Sequence, residues 1–146
     1  MIFMKGFTFR LQKVLDHRID VEDTKKDEFV KSRMEYIKQQ EHLESLKQEI
    51  ARTNKIKPKK STNIFSYITM NNYKTALNEK TEIQEKRVDI YRESMNQKKE
   101  EFLESKRDRK VIEKLKDKAH NEFTIDQNKS EQKQNDEFAL YGYMKK

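Results

Sequence analysis

This chain predicts an all-α fold, a long antiparallel two-helix coiled-coil hairpin. Three features predict it: an apolar-to-polar seam in steps of four and three along both halves, a single proline between them, and an excess of charge. From Leu11 the stepping selects Leu11, Leu15, Arg18, Glu22, Lys25, Phe29, Ser32, Tyr36, Gln39, Leu43, Leu46 and Ile50. After Pro58 it selects Leu77, Thr81, Gln84, Val88, Tyr91, Met95, Lys98, Phe102, Ser105, Arg109, Ile112, Lys116, Ala119 and Phe123. Such steps average about 3.5 residues per turn, which keeps one stripe facing a partner helix as the two supercoil. Two such runs on either side of one breaker fold back on each other, because a short connection favours antiparallel neighbours. Charged residues make up 40% of the chain and hydrophobic ones 33%, where a compact domain carries roughly a quarter and nearly half. That balance suits long helices with a narrow apolar stripe. The sustained period separates the chain from a disordered one of the same composition.

The elements follow in order as one coiled-coil hairpin over residues 1–146. Residues 1–7 form a short apolar arm, and Thr8 is placed to cap the first helix, its hydroxyl accepting from an amide one turn on. Helix one is expected over about 9–54, a length of about 65–70 Å. Its seam is asymmetric: Leu15, Glu22, Phe29, Tyr36, Leu43 and Ile50 alternate with the mostly polar Arg18, Lys25, Ser32 and Gln39, and Val14, Ile19 and Val21 widen the apolar side near its start. The stretch 52–60 (RTNKIKPKK) is basic and has no acidic residue. Pro58 lacks an amide hydrogen and disfavours helix in the residue before it, so the turn lies here. A tip over about 55–72 follows, with Lys74 the one charge in 61–78 among Ile64, Phe65, Tyr67, Ile68, Met70 and Tyr73; we expect it folded back on the coil. Helix two is expected over about 73–123. A tail, 124–146, weakens where Asn and Gln accumulate and ends frayed but apolar at Phe138, Leu140, Tyr141, Tyr143 and Met144. An unpaired apolar helix end marks a contact site.

Catalytic chemistry finds no foothold. The histidines, His17, His42 and His120, lack metal-pair spacing, and no metal or cofactor is expected. Only Gly6 and Gly142 are glycines, so there is no phosphate-cradling loop. Carboxylate pairs such as Glu100–Glu101 are plentiful, but a rod offers no walls to desolvate them and shift their pKa. The protein is not expected to be an enzyme. The absence of cysteine excludes a disulfide scaffold. No run approaches the roughly 20 apolar residues of a membrane span, and Lys5 interrupts the start too early for a secretory signal. Net charge is +7, from 33 basic and 26 acidic side chains. The excess suits acidic protein, anionic lipid or nucleic acid. Along the helices both signs interleave, and no dense basic block adjoins a leucine heptad, so nucleic acid is not expected as a partner.

Three motifs carry a resemblance. The opening Phe7-Thr8-Phe9-Arg10-Leu11-Gln12-Lys13-Val14-Leu15-Asp16-His17-Arg18 resembles the start of FliJ proteins of the bacterial flagellar export apparatus. Arg109-Lys110-Val111-Ile112-Glu113-Lys114-Leu115-Lys116 is similar to that family's second-helix block, and Glu131-Gln132-Lys133-Gln134-Asn135-Asp136-Glu137-Phe138-Ala139 to its C-terminal signature. The resemblance implies a non-enzymatic, coiled-coil component of type III secretion, similar in fold to the rotor stalk of rotary ATPases. It would sit in the cytoplasm, peripherally at the inner face of the membrane at the flagellar base. Its implied partners are the hexameric flagellar export ATPase, the cytoplasmic domain of the membrane export gate, and export chaperones. Gate contact would fall at the hairpin end, on Gln39, Leu43, Leu46, Ile50, Tyr73 and Leu77, which could equally be coil core. ATPase contact would fall at the terminal end, on Phe7, Phe9, Arg10, Leu11, Asp136, Glu137, Phe138 and Tyr141, or that tail is frayed and functionless. Polar seam positions such as Arg18, Glu22 and Lys25 depart from the family's pattern. Rival readings are a stalk subunit of another secretion or rotary ATPase, and a self-associating coiled-coil scaffold.

Overall fold

The computed structural model describes residues 6–61 and 63–145. Two helices account for it, α1 (Gln12–Lys55) and α2 (Ile64–Met144), with no strand among the described residues. Together they make the expected helical hairpin. Contacts divide it into two units, one of residues up to Asp23 with those from Glu104 onward, the other Thr24–Leu103.

In the terminal unit, α1 starts at Gln12, later than the expected Phe9. The reason lies in the backbone: Gln12 N–H donates to the Phe9 carbonyl at 3.1 Å, and the four-residue ladder begins with Leu15 N–H on Leu11 at 2.9 Å. Thr8 therefore lies too far upstream to cap it. Leu15 and Ser105 are buried, and every other seam position of this unit is half-buried. Val21 widens the apolar side as expected, but Val14 and Ile19 are exposed, because they fall off the narrow stripe. Phe7 packs on α2 with its ring edge-on to His120 at 5.0 Å and tilted on Phe123 at 5.5 Å. The polar seam residues find partners: Arg18 pairs with Asp108 at 3.3 Å, and Arg109 donates to Glu22 while pairing with Glu113 at 2.6 Å. Arg18 and Glu22 are thus each met by opposite charge from α2.

The other unit holds Leu77, Thr81, Gln84 and Val88, all buried, against half-buried Gln39, Leu43, Leu46 and Ile50. Partners run in opposite directions: Phe29 stacks on Phe102 at 6.2 Å, Arg92 reaches Tyr36, Gln84 reaches Gln39, and Tyr73 reaches Glu49. That ordering defines an antiparallel pair. Gln84 donates to both the side-chain oxygen of Gln39 (2.8 Å) and its carbonyl (3.0 Å), so the buried amide is satisfied inside the seam.

The turn departs from expectation. The first helix ends at Lys55, where Ile56 N–H tightens the last turn onto Thr53 at 3.2 Å, and Pro58 follows. The second begins at Ile64, not near residue 73. Asn63 is its N-cap, its side-chain oxygen accepting from Phe65 N–H at 3.4 Å. Most of the expected tip is therefore the opening of α2. At the other end α2 runs unbroken to Met144. The tail is helix, because its Glu, Gln, Lys, Ala and Leu are good helix formers and outweigh scattered Asn.

Candidate functional site

Two apolar surfaces are exposed, one in each unit. In the terminal unit the final stretch of α2, residues 128–145, is exposed throughout. A 3.6-residue repeat puts Gln134, Phe138 and Tyr141 on one side of this stretch. They line a groove together with Glu137 and Leu140. Phe138 is 77% exposed and Tyr143 87%. Of the predicted ATPase-contact residues, Asp136, Glu137, Phe138 and Tyr141 lie here, all exposed. Phe7, Phe9 and Leu11 are half-buried, and Arg10 is exposed. Phe7 is held at Phe123.

In the second unit the opening of α2 exposes Ile64, Phe65, Tyr67 and Ile68, and the connection exposes Ile56. Sequence reasoning noticed these residues but expected them folded back. Two grooves flank Met70. One, about 520 Å³, runs between Glu49, Thr53 and Ile56 on one wall and Phe65, Thr69 and Tyr73 on the other. The second, about 300 Å³, is bounded by Lys57, Pro58, Lys59, Tyr67 and Lys74.

The six predicted gate-contact residues divide. Leu77 is buried, and Gln39, Leu43, Leu46 and Ile50 are half-buried in the seam. Tyr73 stands outside it, exposed, its hydroxyl donating to Glu49 at 3.2 Å. That hydrogen bond, followed by desolvation and the carboxylate's charge, pushes the Tyr73 phenol above its ordinary pKa. Thr53 was missed, and Met70 was placed in the tip rather than on the seam. Both continue the four-three stepping, Thr53 from Ile50 and Met70 toward Lys74 and Leu77, and that signal was present in the sequence.

Among the described residues no group of His, Asp and Glu is arranged to hold a metal ion, and no helix is long and apolar enough to cross a membrane. A seam closed between two helices, with two apolar surfaces left open, defines a coiled-coil hairpin protein. The family model described as flagellar FliJ protein matches residues 7–146, and the chain belongs to that family. Membership supports a role connected with flagellar protein export. No curated protein and no solved structure matches the chain.

Proposed function

We propose that this chain is a non-enzymatic link in the flagellar type III export apparatus. It joins the hexameric export ATPase to the cytoplasmic domain of the membrane export gate, at the inner face of the membrane, and assists delivery of substrates and their chaperones. Family membership supports the setting. The observation that carries the ATPase contact is the exposed apolar end of α2, where Phe138, Leu140, Tyr141, Tyr143 and Met144 lie open on a continuous helix. Burying such a side chain is worth roughly 1.5–3 kcal/mol before ordering costs. A stretch that is already helical leaves less ordering for the partner to offset. Gate contact is assigned to the seam edge at Gln39, Leu43, Leu46 and Ile50 with Tyr73 and Leu77.

Deleting residues 136–146 tests the ATPase half. The truncated chain should keep its helical melt yet lose binding to, and stimulation of, the ATPase hexamer. Undiminished stimulation would move that contact to the arm at Phe7–Arg10. For the gate half, Tyr73→Ala is the cleaner probe, because it removes an exposed ring and leaves the seam filled. Gate binding unchanged in Tyr73→Ala, and also in Leu43→Ala/Leu46→Ala at retained helicity, would reduce these residues to coil core.

A further inference from the structure

Between Glu49 and Glu79 the chain has no acidic residue, while carrying Arg52, Lys55, Lys57, Lys59, Lys60 and Lys74. All but Lys74, which is half-buried, are exposed. Along the chain this one-sign run flanks the exposed apolar residues Ile56, Ile64, Phe65, Tyr67 and Ile68; Phe65 is 79% exposed. Lys57, Lys59 and Lys74 share a groove with Tyr67. On the shaft Lys25 and Lys98 meet Glu28 and Glu101. Here Glu49 is the one carboxylate at the edge of the region, occupied by Arg52 at 3.8 Å and by Tyr73.

We propose that this turn region docks on an anionic lipid bilayer, with Ile64, Phe65 and Ile68 entering the headgroup boundary and the surrounding lysines meeting the lipid phosphates. The choice of lipid over an acidic protein rests on residue type. Five of the six cations are lysine, a strongly hydrated point charge that is depleted from protein–protein interfaces, where arginine is enriched. A diffuse negative surface needs no bidentate fork, and each nearby lysine strengthens attachment to it. Nucleic acid could stack bases on Phe65 and Tyr67, but it leaves exposed Ile56, Ile64 and Ile68 without a contact, whereas a bilayer takes up rings and isoleucines alike. No helix of the described residues is apolar enough to span, so the attachment lies on the bilayer. The inference is independent of the gate contact: lipid and purified chain alone test it, and gate capture without lipid tests the other.

The experiment uses the full chain and phosphatidylcholine vesicles with and without phosphatidylglycerol. The chain has no tryptophan, so Phe65→Trp supplies a single reporter whose emission should shift to the blue on anionic vesicles only. In co-sedimentation, Lys55→Gln/Lys57→Gln/Lys60→Gln should lose roughly fivefold in partitioning for each lysine neutralised. Lys99→Gln/Lys114→Gln/Lys118→Gln, equal in net charge but on exposed positions of α2 outside the region, should lose far less. Phe65→Ser/Ile68→Ser should weaken binding severalfold while retaining helicity. The proposal is overturned if the chain ignores anionic vesicles, if the two lysine triples lose equally, or if the serine pair binds as the parent does. It is overturned equally if polyglutamate or RNA is retained with the same lysine dependence while vesicles are not.

Discussion

The two units are built on the same four-three seam and fill it with different chemistry. In the unit holding the turn, the four consecutive seam positions Leu77, Thr81, Gln84 and Val88 are buried, Val88 to 3% exposure. In the terminal unit only Leu15 and Ser105 are buried among the described residues, and the seam leans on Arg18–Asp108 and Arg109–Glu22. Side chains of that second pair are 18% and 15% exposed, drier than any other ion pair found among the described residues. Burial of apolar area supplies stability, whereas a matched buried charge pair supplies little net stability and mainly penalises wrong pairings. The turn-proximal unit should therefore carry the stability, and the terminal unit the register.

Core truncation offers the sharpest test. Leu77→Ala should cost about 2–3 kcal/mol, toward the low end for a leucine because a two-helix seam can partly collapse around the gap. Leu140→Ala, on the exposed end of α2, should stay within about 0.5 kcal/mol. Urea melts followed by circular dichroism measure both. Equal losses would mean that the end of α2 is covered and the contrast between its two parts is false.

How much of this was legible depends on whether burial follows a period. Every seam position from Leu11 to Phe123 selected by the stepping is buried or half-buried, polar ones included, because two helices in contact bury whatever stands on the facing stripe. The turn was misread for the opposite reason. Ile64, Phe65 and Ile68 are apolar without lying on that stripe, and hydrophobicity alone suggested that they fold inward. The cap at Asn63 and the seam step at Met70 are what allow α2 to start at Ile64, and both are single-residue signals. Of the gate residues, position on the stripe was readable; whether they also meet a partner is a property of the partner.

Next in size is the half-buried charge pair Arg109–Glu22. Arg109→Ala should cost about 1–2 kcal/mol, chiefly because it leaves Glu22 in the seam without its cation. Replacing both with leucine should recover that loss or more. If the double variant is as unstable as the single, the pair supplies net stability and the division of labour between the units is wrong.

A smaller effect is expected at Gln84. Gln84→Ala removes both hydrogen bonds to Gln39 and should cost about 1 kcal/mol. Gln39→Leu/Gln84→Leu should be as stable as the parent or more so, and less particular about register. The chain has no cysteine, so spin labels on cysteines placed at positions 36 and 92 report only that pairing. A single short distance in the parent should broaden in the leucine pair. An unchanged distribution would leave the amide layer with no part in alignment.

The smallest expected effect is the pH dependence of the cluster formed by Lys25, Glu28, Lys98 and Glu101, in the turn-holding unit. Lys25 lies 3.2 Å from Glu101 and 3.5 Å from Glu28, and Lys98 lies 3.3 Å from Glu28. The hydrogen bond from Lys98 lowers the Glu28 pKa; desolvation opposes this, and the charges of Lys25 and Lys98 add to it. Lys25 is raised, first by its hydrogen bond to Glu101 and then by that carboxylate's charge. A lowered carboxylate contributes stability that is present above its unfolded pKa, about 4.3, and is lost as pH falls through the folded value. A raised lysine contributes stability that is full below its unfolded pKa, about 10.4, and is lost as pH rises through the folded one. The melting temperature should thus plateau between these limits and decline on both sides. Glu28→Gln should sit slightly below the parent on the plateau and converge with it in acid. The gap should be small and shrink with salt, since water reaches all four side chains. Parallel curves through the acid range would show that Glu28 titrates alike folded and unfolded, and that the cluster orders side chains without stabilising the pair of helices.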